Sequence, residues 1–150
     1  MNKEEAQLYI EKNIPMSEKM GMKIIELSEE CVRIGMPFAP NINHQGTAFG
    51  GSIDSLFFVT CWAYVQLLIA DYFPHPKIVG RQGASVFYAP ITSDFQSNLI
   101  IPEKNEVKRF LIEFNQKGKA KLTTRAVINY EGKIAADFKG EFVVIGNLNS

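Results

Sequence analysis

The chain has little that would tie it to nucleic acid, to a metal or to an oxidising compartment. Its 16 basic and 16 acidic residues cancel, so no overall charge favours nucleic acid or an anionic membrane as a partner. It has only two cysteines, Cys31 and Cys61, and two histidines, too few for a convincing zinc site. Two single thiols are typical of a reducing compartment. We therefore expect a cytoplasmic protein with no metal and no other cofactor.

Motifs for nucleotide binding and for export are also missing. The sequence has no GxGxxG or Walker loop, which argues against nucleotide sites of those kinds. The first five residues, Met1-Asn2-Lys3-Glu4-Glu5, are too polar and acidic for a signal peptide. A length of 150 residues is enough for a proper core, and we expect one domain over residues 1–150.

One long apolar run, residues 55–70, has Gln66 as its most polar member. A membrane span is an alternative interpretation of this run. However, a spanning helix needs roughly 20 residues, and Asp54 and Asp71 bracket the run. Strand-rich sequence follows that could wrap a helix that is apolar on every side, so we favour a buried helix of a soluble protein.

The predicted elements are a short helix, two strands, one long helix and then about five strands. Helices are predicted at residues 3–12 and 50–70, with a further helical turn that ends at Gly21. Strands are predicted at residues 22–27, 31–36, 77–89, 94–101, 107–115, 119–128 and 134–145. Tight turns between neighbouring strands favour an antiparallel sheet. The prediction is an α+β fold in which a curved antiparallel sheet wraps around one long central helix.

Three details of the strand region can be tested against a structure. Residues 107–115 alternate charged and apolar side chains, which favours a strand that turns back at Lys117-Gly118-Lys119. In the next strand one face is predicted to be apolar, with Ala120, Leu122, Thr124, Ala126 and Ile128. Residues 130–133 predict a tight turn in which Gly132 adopts a positive φ.

The most informative segment is the polar loop at residues 41–52, which closes on the pair Gly50-Gly51 and opens the long helix. Glycine has no Cβ, so its backbone can touch a ligand closely. The first N–H groups of a helix have no partner within it and carry partial positive charge. Such a helix start suits a carbonyl oxygen that gains negative charge during a reaction, so the segment predicts an oxyanion site.

The candidate site residues come from this loop, the helix start and one later strand. The candidate catalytic residues are Asn43, His44, Thr47, Gly50, Gly51 and Asp54. The candidate substrate-binding residues are Phe49, Ser52, Phe58 and Tyr88.

Several candidates have a purely structural alternative. Asn43 can form a side-chain turn with its own loop, and His44 can simply cap that loop. Asp54 can act only as a first-turn acid that favours the helix dipole, and Tyr88 can serve strand packing. The basic residues Arg81, Lys117, Lys119 and Lys121 either meet a phosphate or an acidic partner, or form a solvated strand face.

Two segments resemble one superfamily. They are Asn43-His44-Gln45-Gly46-Thr47-Ala48-Phe49-Gly50-Gly51-Ser52 and Val86-Phe87-Tyr88-Ala89-Pro90-Ile91. With the order of elements around them, they resemble the hotdog fold of acyl-thioester enzymes, and within it the YiiD C-terminal group. That group was first labelled as thioesterases and includes malonyl-acyl-carrier-protein decarboxylases. The resemblance implies a homodimer, or a tetramer of such dimers, with sites between subunits.

One departure from the superfamily affects the expected reaction. Many hotdog thioesterases carry Asp or Glu about two turns beyond the glycine pair, where this chain has Phe58 and Val59. The resemblance therefore implies decarboxylation of a malonyl thioester, on acyl carrier protein or CoA, to the acetyl thioester used in fatty acid synthesis. An acyl-CoA or acyl-carrier thioesterase, with Asp54 or His44 activating water, and a non-catalytic acyl-binding module remain open alternatives.

Overall fold

The structure is a computed structural model that describes residues 1–72 and 76–146. The helices are α1 (Lys3–Asn13), α2 (Pro15–Met20), α3 (Gly50–Ile69) and α4 (Lys104–Lys117), with a short 3-10 turn at Ala39–Asn41. The strands are β1 (Lys23–Leu27), β2 (Val32–Met36), β3 (Lys77–Phe87), β4 (Phe95–Ile100), β5 (Lys119–Tyr130) and β6 (Lys133–Ile145).

Among the described residues, six strands form one antiparallel sheet in the order β1-β2-β4-β5-β6-β3. Helix α3 contacts β2, β3, β4, β5 and β6. The core lies between the helix and the sheet, where Ile34, Leu56 and Phe142 are fully buried. The predicted α+β architecture, a curved antiparallel sheet wrapped around one long helix, is confirmed.

Helix α3 can be apolar on almost every face because other elements cover most of its surface. The sheet packs on one side, and on another α1 packs through Tyr9, which stacks on Trp62 with ring centroids 5.5 Å apart. By length and composition alone α3 could cross a membrane, but 67% of its most apolar 18-residue stretch is buried. The helix is therefore the core helix of a soluble fold.

The predicted strand at residues 107–115 is wrong, because this segment lies in α4. Its apolar residues also recur at helical spacing, and that period places Phe110 and Phe114 together in the core. The predicted turn at residues 117–119 is the end of the helix, where Gly118 adopts a φ of 67° as its C-cap. Over the residues that the structure describes, the long helix is therefore followed by four strands and a helix rather than by about five strands.

The other details of the strand region are confirmed. The five side chains predicted to share the inner face of β5 are all buried: Ala120, Leu122, Thr124, Ala126 and Ile128. The β5–β6 turn has positive φ at both Glu131 (51°) and Gly132 (77°), as a type I′ hairpin turn requires.

Strand β3 is an edge of the sheet, since it pairs only with β6 among the described strands. Its inner face is lined by glycine where aromatic rings approach. A Cβ at Gly80 would lie 1.9 Å from the Phe58 ring, and a Cβ at Gly83 would lie 2.7 Å from the Phe138 ring. These glycines leave room for the rings, and at Gly80 the ring of Phe58 packs directly between α3 and β3.

Candidate active site

The turn at residues 43–47, before α3, is held by the side chain of Asn43. Its Oδ1 accepts hydrogen bonds from the N–H of Gln45 (2.9 Å) and of Thr47 (3.1 Å), and its Nδ2 donates to Thr47 Oγ1 (2.8 Å). The backbone closes the same turn, since the N–H of Asn43 donates to the Thr47 carbonyl at 2.8 Å. Gly46 takes a φ of 77° at the turn, and His44 is exposed at its tip. The structural alternative weighed for Asn43, a side-chain turn, is what the structure shows.

Helix α3 begins with free N–H groups. Phe49 is the N-cap residue and its side chain makes no capping hydrogen bond. The N–H of Phe49 donates to the Asn41 carbonyl, and that of Ile53 donates to the Phe49 carbonyl. Within the described part of the chain, the N–H groups between them, at Gly50, Gly51 and Ser52, have no acceptor. Free N–H donors at the positive end of a 20-residue helix can stabilise an anionic oxygen.

A pocket of about 350 Å³ opens at this helix start. Its wall is formed by the loop, the first turn of α3 and the segment that leaves β3: Thr47, Ala48, Gly50, Ile53, Phe87, Tyr88, Ala89, Pro90 and Ile91. The two sides are tied together by the N–H of Ala48, which donates to the Ile91 carbonyl at 2.8 Å. A Cβ at Gly50 would be 3.6 Å from the Phe87 ring, so this ring borders the first free donor.

The second glycine, Gly51, is exposed, contacts the N-cap residue and lies outside the pocket wall. A Cβ at Gly51 would lie 2.6 Å from Cε1 of Phe49, so the half-exposed Phe49 ring rests on the Gly51 backbone. Ser52 is buried beneath it. Of Gly50, Gly51 and Ser52, only Gly50 lines the described pocket, while Gly51 provides the space that Phe49 occupies.

One face of α3 runs along the edge strand. One turn beyond Gly50, the exposed Asp54 accepts a hydrogen bond from the Ser85 hydroxyl of β3. One turn further, Phe58 lies over Gly80 and its ring is 40% exposed. Asp54 and Phe58 thus line the seam between α3 and β3 outside the pocket wall, and they face the free edge of the sheet.

Tyr88 borders the pocket, but its hydroxyl is engaged elsewhere. The hydroxyl donates to Asp137 Oδ2 at 2.8 Å. This hydrogen bond to a carboxylate, with a smaller contribution from burial and charge, raises the pKa of Tyr88. Tyr88 therefore remains protonated at neutral pH, and its ring is the part that faces the pocket.

The structure brings some of the sequence-derived candidates together and separates others. Thr47, Gly50 and Tyr88 share the pocket, and Asn43 supports it from behind Thr47. The residues outside the pocket wall are His44, Phe49, Gly51, Ser52, Asp54 and Phe58. Sequence reasoning missed Phe87 as a wall of the pocket, although it lies in the quoted segment Val86-Phe87-Tyr88-Ala89-Pro90-Ile91. It also missed Ser85, a small polar residue of β3 that no motif in the sequence marks.

Cys61 lies in the middle of α3 and is fully buried. Burial raises the pKa of its thiol to about 12. A neutral, inaccessible thiol is a core residue rather than a nucleophile. Among the described residues, no group of three or more His, Cys, Asp or Glu side chains is placed to hold a metal ion.

Comparisons with known proteins agree with the fold described above. The family model "Putative thioesterase (yiiD_Cterm)" matches residues 3–146. A putative thioesterase from Shewanella oneidensis is similar over 95% of this chain and 96% of its own, with 27% identity and a TM-score of 0.83. A protein of unknown function from Chlorobaculum tepidum is similar over 97% of this chain and 94% of its own, with 25% identity and a TM-score of 0.89. A Pseudomonas aeruginosa protein with 20% identity shares the fold over 98% of this chain and 97% of its own, with a TM-score of 0.82.

Proposed function

The chain belongs to the YiiD C-terminal family of putative thioesterases, within the hotdog superfamily of acyl-thioester enzymes, and from this premise we propose that it decarboxylates a malonyl thioester. The substrate is carried on acyl carrier protein, and the product is the acetyl thioester used in fatty acid synthesis. The observation that carries the proposal is the free N–H of Gly50 at the wall of the pocket.

The proposed reaction uses that donor as an electron sink. The bond between the malonyl carboxylate and the adjacent carbon breaks, carbon dioxide leaves, and the electron pair moves into an enolate whose negative charge lies on the thioester oxygen. The N–H of Gly50 donates to this oxygen, and the positive end of α3 adds to its stabilisation. A water molecule then gives a proton to the carbon, which yields the acetyl thioester and a hydroxide ion that passes to the bulk solvent. No activated water and no protein nucleophile are needed.

The lining of the pocket supports this chemistry. None of the described residues that form its wall is a carboxylate, so the wall does not repel the carboxylate of the substrate. The ring of Phe87 and the side chains of Ile53 and Ile91 make much of the wall apolar. An apolar wall favours the neutral carbon dioxide that leaves over the charged group that enters.

One observation favours hydrolysis as a second candidate. Asp54 is an exposed carboxylate one turn from Gly50, and Ser85 holds it in place. In that position it could activate a water that attacks a thioester bound at the helix start. Asp54 lies outside the pocket wall, which is why we rank decarboxylation first.

We also propose that the protein acts as a homodimer through β3. This edge strand of 11 residues exposes its unpaired backbone groups together with Val79, Val86 and Phe87. A long exposed edge with apolar side chains is expected to pair with another strand. Pairing there would place the seam that holds Asp54 and Phe58 next to the second protomer.

The reaction is tested by the intact mass of malonyl-loaded acyl carrier protein after incubation with the enzyme. Loss of the mass of one carbon dioxide, with the acetyl thioester retained, supports decarboxylation. Recovery of the unloaded carrier supports hydrolysis, and unchanged carrier at saturating enzyme refutes both reactions.

Asp54→Asn separates the two mechanisms. It keeps an acceptor for the Ser85 hydroxyl but cannot act as a base. Decarboxylation is expected to remain within about threefold of the wild-type rate, whereas a general base contributes about 100-fold or more to hydrolysis. The control is Asp94→Asn, because Asp94 is a carboxylate in the loop just before β4, where it accepts a hydrogen bond from the N–H of Phe38.

A further inference from the structure

A second concave surface lies on the face of the sheet opposite to α3, across β3, β6, β5 and the end of α4. We call it the basic groove, with a volume of about 630 Å³. Its basic side chains are Arg81, Lys117, Lys119 and Lys121. These are the four residues that the sequence left open between binding a partner and forming a solvated face, and the structure places them in one groove.

Strand register shows how the groove is built. Lys121 lies opposite Val143, and Val143 lies opposite Val79 on the other side of β6. Lys119 lies opposite Ile145 in the same way. Residues directly opposite each other in an antiparallel sheet share a face, and the even-numbered residues of β5 face the core. The lysines and these apolar residues therefore lie together on the outer face.

The charge of the groove is only partly neutralised within the chain. Arg81 pairs with Glu141 at 2.9 Å, and Lys117 pairs with Glu113 at 3.8 Å. Among the described residues, Lys119 and Lys121 have no ion pair. A protein with equal numbers of acidic and basic residues thus concentrates unpaired positive charge on one face, which favours an acidic partner.

The side chains at the floor of the basic groove indicate which chemical class of partner it fits. Val79 is 51% exposed and Ile145 is 41% exposed, so apolar side chains lie between the lysines. None of the described lining residues is aromatic, so nothing there would stack on a nucleotide base. Apolar contacts flanked by positive charge are complementary to an amphipathic helix with acidic residues beside its apolar stripe.

We propose that the basic groove docks the acidic helix of the protein that carries the thioester substrate. The inference rests on the proposed function, because it assigns a surface to the carrier of that substrate. It deepens the proposal by naming the residues that select a carrier protein over a free thioester.

The position of the groove agrees with delivery to the site of a second protomer. Val79 and Phe87 lie at opposite ends of β3, roughly 26 Å apart at 3.3 Å per residue. Antiparallel pairing of two full copies of β3 would set residue 77 of one protomer opposite residue 87 of the other. The groove of one protomer would then lie near the end of β3 that carries the pocket of its partner, with the groove on the outer face of the joined sheet and the pocket on the inner face. A flexible arm would pass around the ends of the strands from one to the other.

The test is a binding measurement that requires no turnover. Dye-labelled, unloaded holo-acyl carrier protein is titrated with the full-length enzyme and followed by fluorescence anisotropy. Lys119→Glu with Lys121→Glu is expected to raise Kd by about tenfold or more, since it places like charges against an acidic partner. Lys104→Glu with Lys108→Glu is the matched control, because it makes the same charge change on exposed lysines of α4. This control is expected to stay within about twofold of the wild-type Kd.

A second measurement compares KM for two substrates, the malonyl thioester of the carrier protein and malonyl-CoA. The groove variant is expected to raise KM for the malonyl thioester of the carrier and to leave KM for malonyl-CoA unchanged. An equal rise with both substrates, an equal effect of the control variant, or no binding of the carrier by the wild-type enzyme would overturn the docking surface. If the carrier binds, the groove variant weakens binding and no carbon dioxide is lost, the docking surface stands and the proposed reaction fails.

Discussion

The most direct test of the proposed mechanism is to remove one backbone N–H donor, that of Gly50, at the start of α3. Gly50 is the first helical residue of α3, and its N–H has no acceptor among the described residues. Proline is favoured at this position because it lacks only an N–H that the helix does not use. The preceding residue, Phe49, has φ −67° and ψ 129°, the extended conformation that a following proline requires. Gly50→Pro should therefore fold while deleting the donor.

Gly50→Ala is its matched control. The added methyl would meet the Phe87 ring at 3.6 Å, an ordinary van der Waals contact, and the N–H is kept. Loss of one oxyanion donor costs about 2.7–4 kcal/mol of transition-state stabilisation. We therefore expect kcat of Gly50→Pro to fall about 100- to 1,000-fold below that of Gly50→Ala.

The assay is the initial rate of carbon dioxide release from the malonyl thioester, at saturating substrate, for both variants. Thermal unfolding of each variant checks that the fold is intact. If Gly50→Pro turns over within about threefold of Gly50→Ala while both are folded, the N–H of Gly50 is not the electron sink and the mechanism proposed for the pocket is wrong.

Two further predictions concern the loop and the core. Asn43→Ala removes three hydrogen bonds and should lower the free energy of unfolding by about 1–3 kcal/mol in chemical denaturation; Asn43→Asp keeps the acceptor for Gln45 and Thr47 and should recover most of the loss. Because burial raises the pKa of Cys61 from 9.0 to about 12, the unfolded chain loses this proton first and stability falls as pH rises from 9 to 12. Between about pH 9 and about pH 10 the wild type should lose about 1 kcal/mol more than Cys61→Ala, and parallel curves would contradict the raised pKa.

Local pattern was sufficient wherever one period dominated the sequence. The alternation in β5 predicted its inner face residue by residue, and the glycine in the β5–β6 turn predicted a positive φ. The pattern failed at α4, where residues 107–115 fit both periods. Alternation placed Phe110 and Phe114 on a strand face, while the same residues, four apart, also lie on one helix face. Helix rather than strand forms here because the helix places both rings in the core. That packing depends on distant parts of the chain, so no local pattern could reveal it.

Some features of the candidate site could likewise be predicted from the local sequence, and others could not. The free donors at the start of α3 could be predicted because they depend only on where a helix begins. The contacts of Phe87 with Gly50 and of Ser85 with Asp54 could not, because they depend on how an edge strand distant in sequence lies along α3. That alignment follows from ring packing on Gly80 and from the pairing of β3 with β6.

The burial of α3 has a consequence for how the chain reaches its native state. The ribosome synthesises the apolar helix α3 before it synthesises β3, β4, β5 and β6, the strands that later cover it. Until they arrive, the nascent polypeptide displays a stretch long and apolar enough to be taken for a membrane anchor. We therefore expect the unfinished chain to be prone to aggregation, and a chaperone that shields this stretch during translation to raise the yield of folded protein.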